Sequence, residues 1–224
     1  MEINFEKYPL PKRIRHHSSP NLYFKFNEFK VKPDYYPPLY ESIDWSKYFL
    51  NAKKPDYIDI GCGKGLFLLQ ISELEPDKNI LGIELRKALV EWINNFIKGE
   101  KIGNAIALWY SVINGLSFIE DESIEKIFYL FPDPWHKKRH FKRRVFNSET
   151  VAEIYKKLRY GGKLYIATDV AEIDTYHRKI LSECDKFDVE TVLVEEQWGL
   201  PPTNKELFCV KENIPTYKLI CVKR

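Results

Sequence analysis

The segment that most limits what this chain can fold into is Asp59-Ile60-Gly61-Cys62-Gly63-Lys64-Gly65. It follows a short β-rich run, YIDI at 57–60, and leads into an apolar helical stretch at 65–74. Glycines between a strand and a helix let backbone approach a ligand closely. In open α/β sheets, ligands sit beyond the carboxyl ends of the strands. The rest of the chain keeps the same alternation. Strands are expected at 57–60, 80–84, 105–109, 126–131, 163–168, 189–195 and 216–222, and helices at 65–74, 86–98, 146–159 and 170–184. In 86–98, Leu89, Val90, Ile93 and Ile97 recur at helical spacing. Gly161-Gly162 reads as the C-cap of 146–159. Such alternation predicts an α/β fold with right-handed crossovers and a mainly parallel sheet. No helix is expected between the last two strands. They are joined through the Pro-containing link 199–203 and are expected to form an antiparallel edge.

Composition sets the outer bounds. A chain of 224 residues, 44% hydrophobic and 15% aromatic, can bury a full core, which excludes wholesale disorder. No apolar run approaches the roughly 18 residues that cross a bilayer. The opening MEINFEKYPLPKR lacks the apolar core of a signal peptide. Cys62, Cys184, Cys209 and Cys221 are widely spaced, as expected of reduced thiols in a cytoplasmic protein rather than a disulfide frame or a metal site. Two regions are expected: a Pro- and aromatic-rich arm over 1–50 and an α/β domain over 51–224. The arm holds six of the 13 prolines and is dense in aromatics (Tyr23, Phe24, Phe26, Phe29, Tyr35, Tyr36, Tyr40). Between Lys7 and Asn27 it carries five Lys/Arg and no acid. This composition suits a grip on single-stranded nucleic acid, or an arm that packs its rings on the domain.

The glycine spacing is GxGxG. Leu66 stands where a dinucleotide fingerprint needs its third glycine, and Lys64 is not in a P-loop context. Glu84 ends the second strand, where a carboxylate can accept both hydroxyls of a ribose, as it can in NAD enzymes too. Asp59 separates the two cases. A carboxylate beside this turn suits a ligand with positive charge, such as the amino group or sulfonium of S-adenosylmethionine, better than a pyrophosphate. Ser111, just past the third strand, lies where an adenine edge could be met.

Charge placement says more than charge total. The net charge is +3, yet KKRHFKRR at 137–144 holds six Lys/Arg and no acid, leaving 29 basic and 32 acidic residues elsewhere. The run follows FPDPWH, in which Pro132 and Pro134 fix the backbone around Asp133. A rigid carboxylate followed by a basic-aromatic loop points to a site facing phosphates. Three classes stay open on the residues alone: an RNA methyltransferase, a methyltransferase for small molecules or proteins, and a non-catalytic RNA-binding protein.

FPDPWHKKRHFKRR after YIDIGCGKG closely resembles the bacterial tRNA (guanine-N7-)-methyltransferase family. Further matches are Glu84 in GIEL, Thr168-Asp169 in IATD, and Thr203 and Glu206 ahead of IPTYKLICVKR. The resemblance implies a Rossmann-like class I methyltransferase, with a seven-stranded mainly parallel sheet, an antiparallel C-terminal edge and helices on both faces. It implies methyl transfer from S-adenosyl-L-methionine to N7 of guanosine 46 in the variable loop of tRNA, without metal or membrane, by a monomer or homodimer. Carried over by position, Asp59, Gly61, Gly63, Gly65 and Glu84 would hold the donor, with Ser111 at its adenine. Asp133 would be catalytic and would also contact the donor, lying near both it and the guanine. Lys137, Asp169, Thr203 and Glu206 would bind the substrate. Lys138, Arg139, Lys142, Arg143 and Arg144 are expected to contact tRNA phosphates.

Overall fold

The computed structural model describes residues 3–12 and 20–224. Arg13 and Arg15, part of the basic count of the arm, lie outside the described residues. The chain divides after Asn114 into two compact units, the first with three strands and the second with four.

The first unit contains the described arm, β1 (Tyr57–Ile60), α1 (Leu66–Leu74), β2 (Ile80–Glu84), α2 (Lys87–Gly99) and β3 (Ala105–Trp109). All three strands are parallel, with Tyr57 opposite Ile80 and Ile80 opposite Ala105. Every residue of β1 and β2 is buried, which is why these strands read as unbroken apolar runs rather than alternating ones. The stripe expected on α2 is buried, with Trp92 and Phe96 added to it. α2 also covers the outer edge of β3. The Asn94 amide donates to the Ala107 carbonyl (2.8 Å) and its oxygen accepts from the Ala107 N–H (2.9 Å), so a side chain satisfies an edge that has no further strand among the described residues. Gly82, in mid-β2, is required by close approach: a Cβ there would stand 2.8 Å from Cys62 Sγ and 2.9 Å from Leu68 Cδ2. Much of the arm packs on this unit. Tyr8 meets Phe96 edge-on at 4.9 Å, Tyr40 lies 5.8 Å from Tyr110, and Tyr36 is fully buried.

The second unit contains β4 (Ile124–Leu130), α3 (Ser148–Lys157), β5 (Leu158–Thr168), α4 (Ala171–Cys184), β6 (Phe187–Thr191), α5 (Glu195–Trp198), α6 (Asn204–Lys211) and β7 (Tyr217–Lys223). β4 and β5 are parallel; β7 runs antiparallel to both β5 and β6, giving the expected antiparallel edge. Two expectations need correction. Gly161-Gly162 does not cap α3, which ends at Lys157; the pair lies inside β5. There the register jumps from Ile124↔Leu158 to Lys126↔Lys163, so β5 carries a bulge of several residues. Gly162 closes it, because a Cβ would stand 2.8 Å from the Arg159 carbonyl and 3.1 Å from that of Ile124. The link between β6 and β7 is likewise not helix-free, since α5 and α6 both fall in it. α6 is short and opens on Thr203, whose hydroxyl accepts from the Glu206 N–H while the Glu206 carboxylate accepts from the Thr203 N–H, a capping box.

Candidate functional site

In the first unit the expected donor residues come together at the carboxyl ends of β1 and β2. Gly61, Gly63 and Gly65 all have positive φ (82°, 59° and 76°), a conformation that costs glycine little and that side chains resist. The Gly61 and Cys62 N–H groups donate to the Ile83 carbonyl, which pins the start of the loop to the end of β2. Asp59 is buried, and its Oδ2 has no hydrogen-bond partner among the described residues. Burial, reinforced by the Glu84 charge, pushes the Asp59 carboxyl up to about 8. A buried carboxylate without a partner is costly. A cationic group arriving beside the glycine turn would relieve that cost, so these residues fit an amino or sulfonium ligand.

Glu84 is also buried, but fully engaged. Its Oε1 accepts from the Arg86 backbone N–H (2.9 Å) and Nε (2.9 Å), and its Oε2 from the Gly63 N–H (3.0 Å) and Arg86 Nη2 (2.9 Å). Arg86 was not among the expected residues. It stands two positions past the strand end, and only the tertiary fold shows that its side chain turns back over the glycine loop. Ser111 is placed differently from expectation. Its hydroxyl is buried and donates to the Leu22 carbonyl at 2.9 Å, so it ties down the arm instead of offering its side chain to an adenine. Asn114 extends the same anchor: its side-chain oxygen accepts from the Phe26 N–H (2.8 Å) and its amide donates to the Tyr36 hydroxyl (2.8 Å).

In the second unit the FPDPWH segment leaves the end of β4. Within it, Phe131 and Trp135 flank Pro132-Asp133-Pro134 with positive φ (52° and 43°), a strained state for bulky residues costing about 1–3 kcal/mol each. The neighbourhood holds it. The Phe131 N–H donates to the Ala167 carbonyl at 2.7 Å, and the Arg143 guanidinium lies 5.0 Å from the Trp135 ring centre. Asp133 sits within this braced turn, partly exposed. Lys138–Arg143 form a 3-10 turn, on which Lys138, Arg139 and Lys142 are exposed; Lys137, just before it, is exposed too. Arg143 is half-buried against Trp135. Arg144 departs from its expected role as a phosphate contact, being buried. Its Nη2 pairs with Glu172 (2.8 Å), its Nε donates to the Pro134 carbonyl (3.3 Å), and its plane covers the Phe141 ring at 3.8 Å. Arg144 therefore braces the Asp133 turn against α4.

The remaining substrate candidates are tied into structure. Asp169, just past β5, pairs with Lys205 of α6 at 2.7 Å. Thr203 and Glu206 form the capping box, and the other Glu206 oxygen meets Lys218 Nζ at 2.8 Å, so both carboxylate oxygens are taken. The Thr-x-x-Glu spacing is itself the sequence signature of such a cap. Among the described residues no cluster of three or more His, Cys, Asp or Glu is placed to hold a metal. No helix among them is long and apolar enough to cross a membrane.

A parallel sheet with an antiparallel terminal edge, a glycine turn after its first strand and an acid ending its second define the methyltransferase class, and residues 53–215 match the family model described as "Putative methyltransferase". The chain belongs to the tRNA (guanine-N7-)-methyltransferase family. A relative of that name from Microcystis aeruginosa is 31% identical over 220 residues, covering 92% of this chain and 95% of the relative. Another from Synechococcus sp. is 31% identical over 176 residues, covering 78% and 74%. Among solved structures, a precorrin-6y C5,15-methyltransferase from Geobacter metallireducens superposes with a TM-score of 0.54 at 16% identity, over 75% of this chain and 79% of that one, a likeness of fold alone.

Proposed function

We propose that this chain methylates N7 of guanosine in tRNA, at position 46 of the variable loop, with S-adenosyl-L-methionine as donor. The observation that carries the donor half is Asp59: a buried carboxylate oxygen without a partner among the described residues, beside a glycine turn and a ribose-type acid. The acceptor half rests on Asp133 and on the exposed cations that follow it in sequence. The names of the relatives support tRNA as the substrate.

The bound donor supplies a methyl already activated on a sulfonium; the N7 lone pair forms the new N–C bond as the S–C bond breaks, and positive charge passes to the base. N7 carries no proton, so none of this chain's residues has to act as a general base. What the protein must provide is orientation, worth up to roughly 7–11 kcal/mol when reacting atoms are held in line, and negative potential for the charge that develops on the base. Asp133 fits both tasks: its carboxylate accepts hydrogen bonds from the N1 and N2 hydrogens of guanine and favours the cationic product. Asp169 is a secondary reader of the base edge, reached once Lys205 yields. Thr203 and Glu206 act through the capping box, by fixing the start of α6. Lys137, Lys138, Arg139 and Lys142 grip phosphates, while a base drawn out of its stack costs a few kcal/mol.

On this reading the arm over 1–50 belongs functionally with the donor unit, and 51–224 is the methyltransferase domain. The protein works in the cytoplasm as a monomer or homodimer. Transfer of tritiated methyl to unmodified tRNA, followed by mapping of the labelled nucleotide, tests the proposal. Label on 7-methylguanosine at position 46 is expected; label on another base or position overturns it.

A further inference from the structure

We infer that the Arg86 side chain is an internal stand-in for the two ribose hydroxyls of the methyl donor, holding Glu84 until the donor displaces it. The inference rests on the reading above, that Glu84 receives the donor's ribose. Each oxygen of Glu84 accepts two hydrogen bonds, one from backbone and one from the guanidinium. The backbone pair, Arg86 N–H on Oε1 and Gly63 N–H on Oε2, is fixed by the loop. The side-chain pair, Nε on Oε1 and Nη2 on Oε2, is a two-pronged donor at 2.9 Å on each oxygen. A vicinal diol is also a two-pronged donor to one carboxylate. It needs the two acceptor positions that the guanidinium fills, and it leaves the backbone pair untouched.

Two further observations place Arg86 across the ligand's path. The guanidinium lies against the glycine loop, where a Cβ on Gly63 would be 3.8 Å from Arg86 Nη2. The Arg86 side chain is 26% exposed while Glu84 is 5% exposed, so it is the arginine that can leave for solvent. A buried carboxylate without its partners is expensive. The swap keeps Glu84 hydrogen-bonded in both states, and the arginine therefore competes with donor and product alike. Arg86 is thus a positioning residue: it sets donor affinity through Glu84 and touches no reacting atom.

Calorimetric titration with S-adenosylhomocysteine and with its 2′,3′-dideoxy analogue tests this on the wild type, Arg86→Met and Arg86→Lys. Arg86→Met is expected to bind S-adenosylhomocysteine roughly tenfold more tightly, about the worth of one charge-assisted hydrogen bond no longer forfeited. The preference for the diol over the dideoxy analogue should widen by the same factor. Arg86→Lys, with a single-pronged ammonium, should fall between, and it carries the test if Arg86→Met fails to fold. Affinity that falls or stays level in the variants, with the diol preference unchanged, would overturn the stand-in while leaving the donor reading intact. A wild-type protein that bound neither compound would overturn the donor reading itself.

Discussion

The two units carry their acids in opposite ways. In the first, Asp59 and Glu84 are buried among strands whose every residue is inside; Glu84 is held by backbone amides and one arginine, whereas Asp59 Oδ2 has no partner among the described residues. In the second, Asp133 and Asp169 are partly exposed, at the ends of β4 and β5; Asp133 has prolines, aromatics and exposed cations as its neighbours in the chain, and Asp169 pairs with Lys205. A buried, pre-aimed carboxylate suits a small ligand of one fixed shape. A braced surface turn flanked by lysine and arginine suits a large polyanion that presents one base and many phosphates. On the proposed reading, the same residue type serves recognition of a cation in one place and of a base edge in the other, and solvent exposure makes the difference.

The sharpest way to break this comparison is to neutralise the exposed cations. Replacing Lys138, Arg139 and Lys142 together by glutamine should lower the log–log salt slope of tRNA binding by roughly 0.7–0.9 per residue, or about a hundredfold in affinity near 0.1 M salt. Stability should move by no more than about 0.5 kcal/mol per substitution. Unchanged tRNA binding would make the run a solvated face.

Asp133→Asn comes next. Loss of charge-assisted hydrogen bonds worth about 1.5–3 kcal/mol predicts a 10- to 100-fold fall in turnover with donor affinity preserved. Single-turnover methylation beside donor calorimetry reads both, and full turnover would remove Asp133 from the mechanism.

Arg144 sharpens the contrast within one basic run. Arg144→Met should cost about 1–3 kcal/mol of stability, through loss of its bonds to Glu172 and Pro134, with no change in the tRNA salt slope. Urea unfolding and salt-dependent binding separate this from the behaviour of Lys138 and Arg139.

The subtlest test is titration of Asp59. Its carboxyl lies near 8 in the folded protein and at an ordinary acidic value when unfolded, so the folded state binds the extra proton. Stability from this group therefore declines as pH rises between about 4 and 8 and levels off above. Donor binding should strengthen over the upper part of that range, as the carboxyl ionises. Asp59→Asn should flatten both profiles, and a wild-type donor affinity indifferent to pH between 7 and 9 would deny Asp59 its role.

Local pattern carried much of this molecule. β1, β2 and β3 fall on the residues expected from their apolar runs, because a parallel strand buried on both faces must be apolar throughout. The glycine turn and its acids were legible for a similar reason: chemistry at a strand end is written in consecutive residues. Gly161-Gly162 misled because glycine marks either a helix end or a crowded bulge, and only the approach of the Ile124 carbonyl decides between them. α6 was hidden because its eight residues include exposed Leu207, Phe208 and Val210, with no amphipathic stripe to betray a helix.

What the sequence alone determined, then, is the alternation of strands and helices as far as β6, the glycine turn, and the placement of a carboxylate ahead of a basic run; each depends on neighbours in the chain. Tertiary structure alone decided which charges are available. It buried Arg144 beside exposed Lys138, locked Glu206 into a cap, turned Ser111 toward the arm and folded Arg86 back onto Glu84. Burial and partner choice depend on residues far apart in sequence, and a charge has no fixed chemical role until those partners are in place.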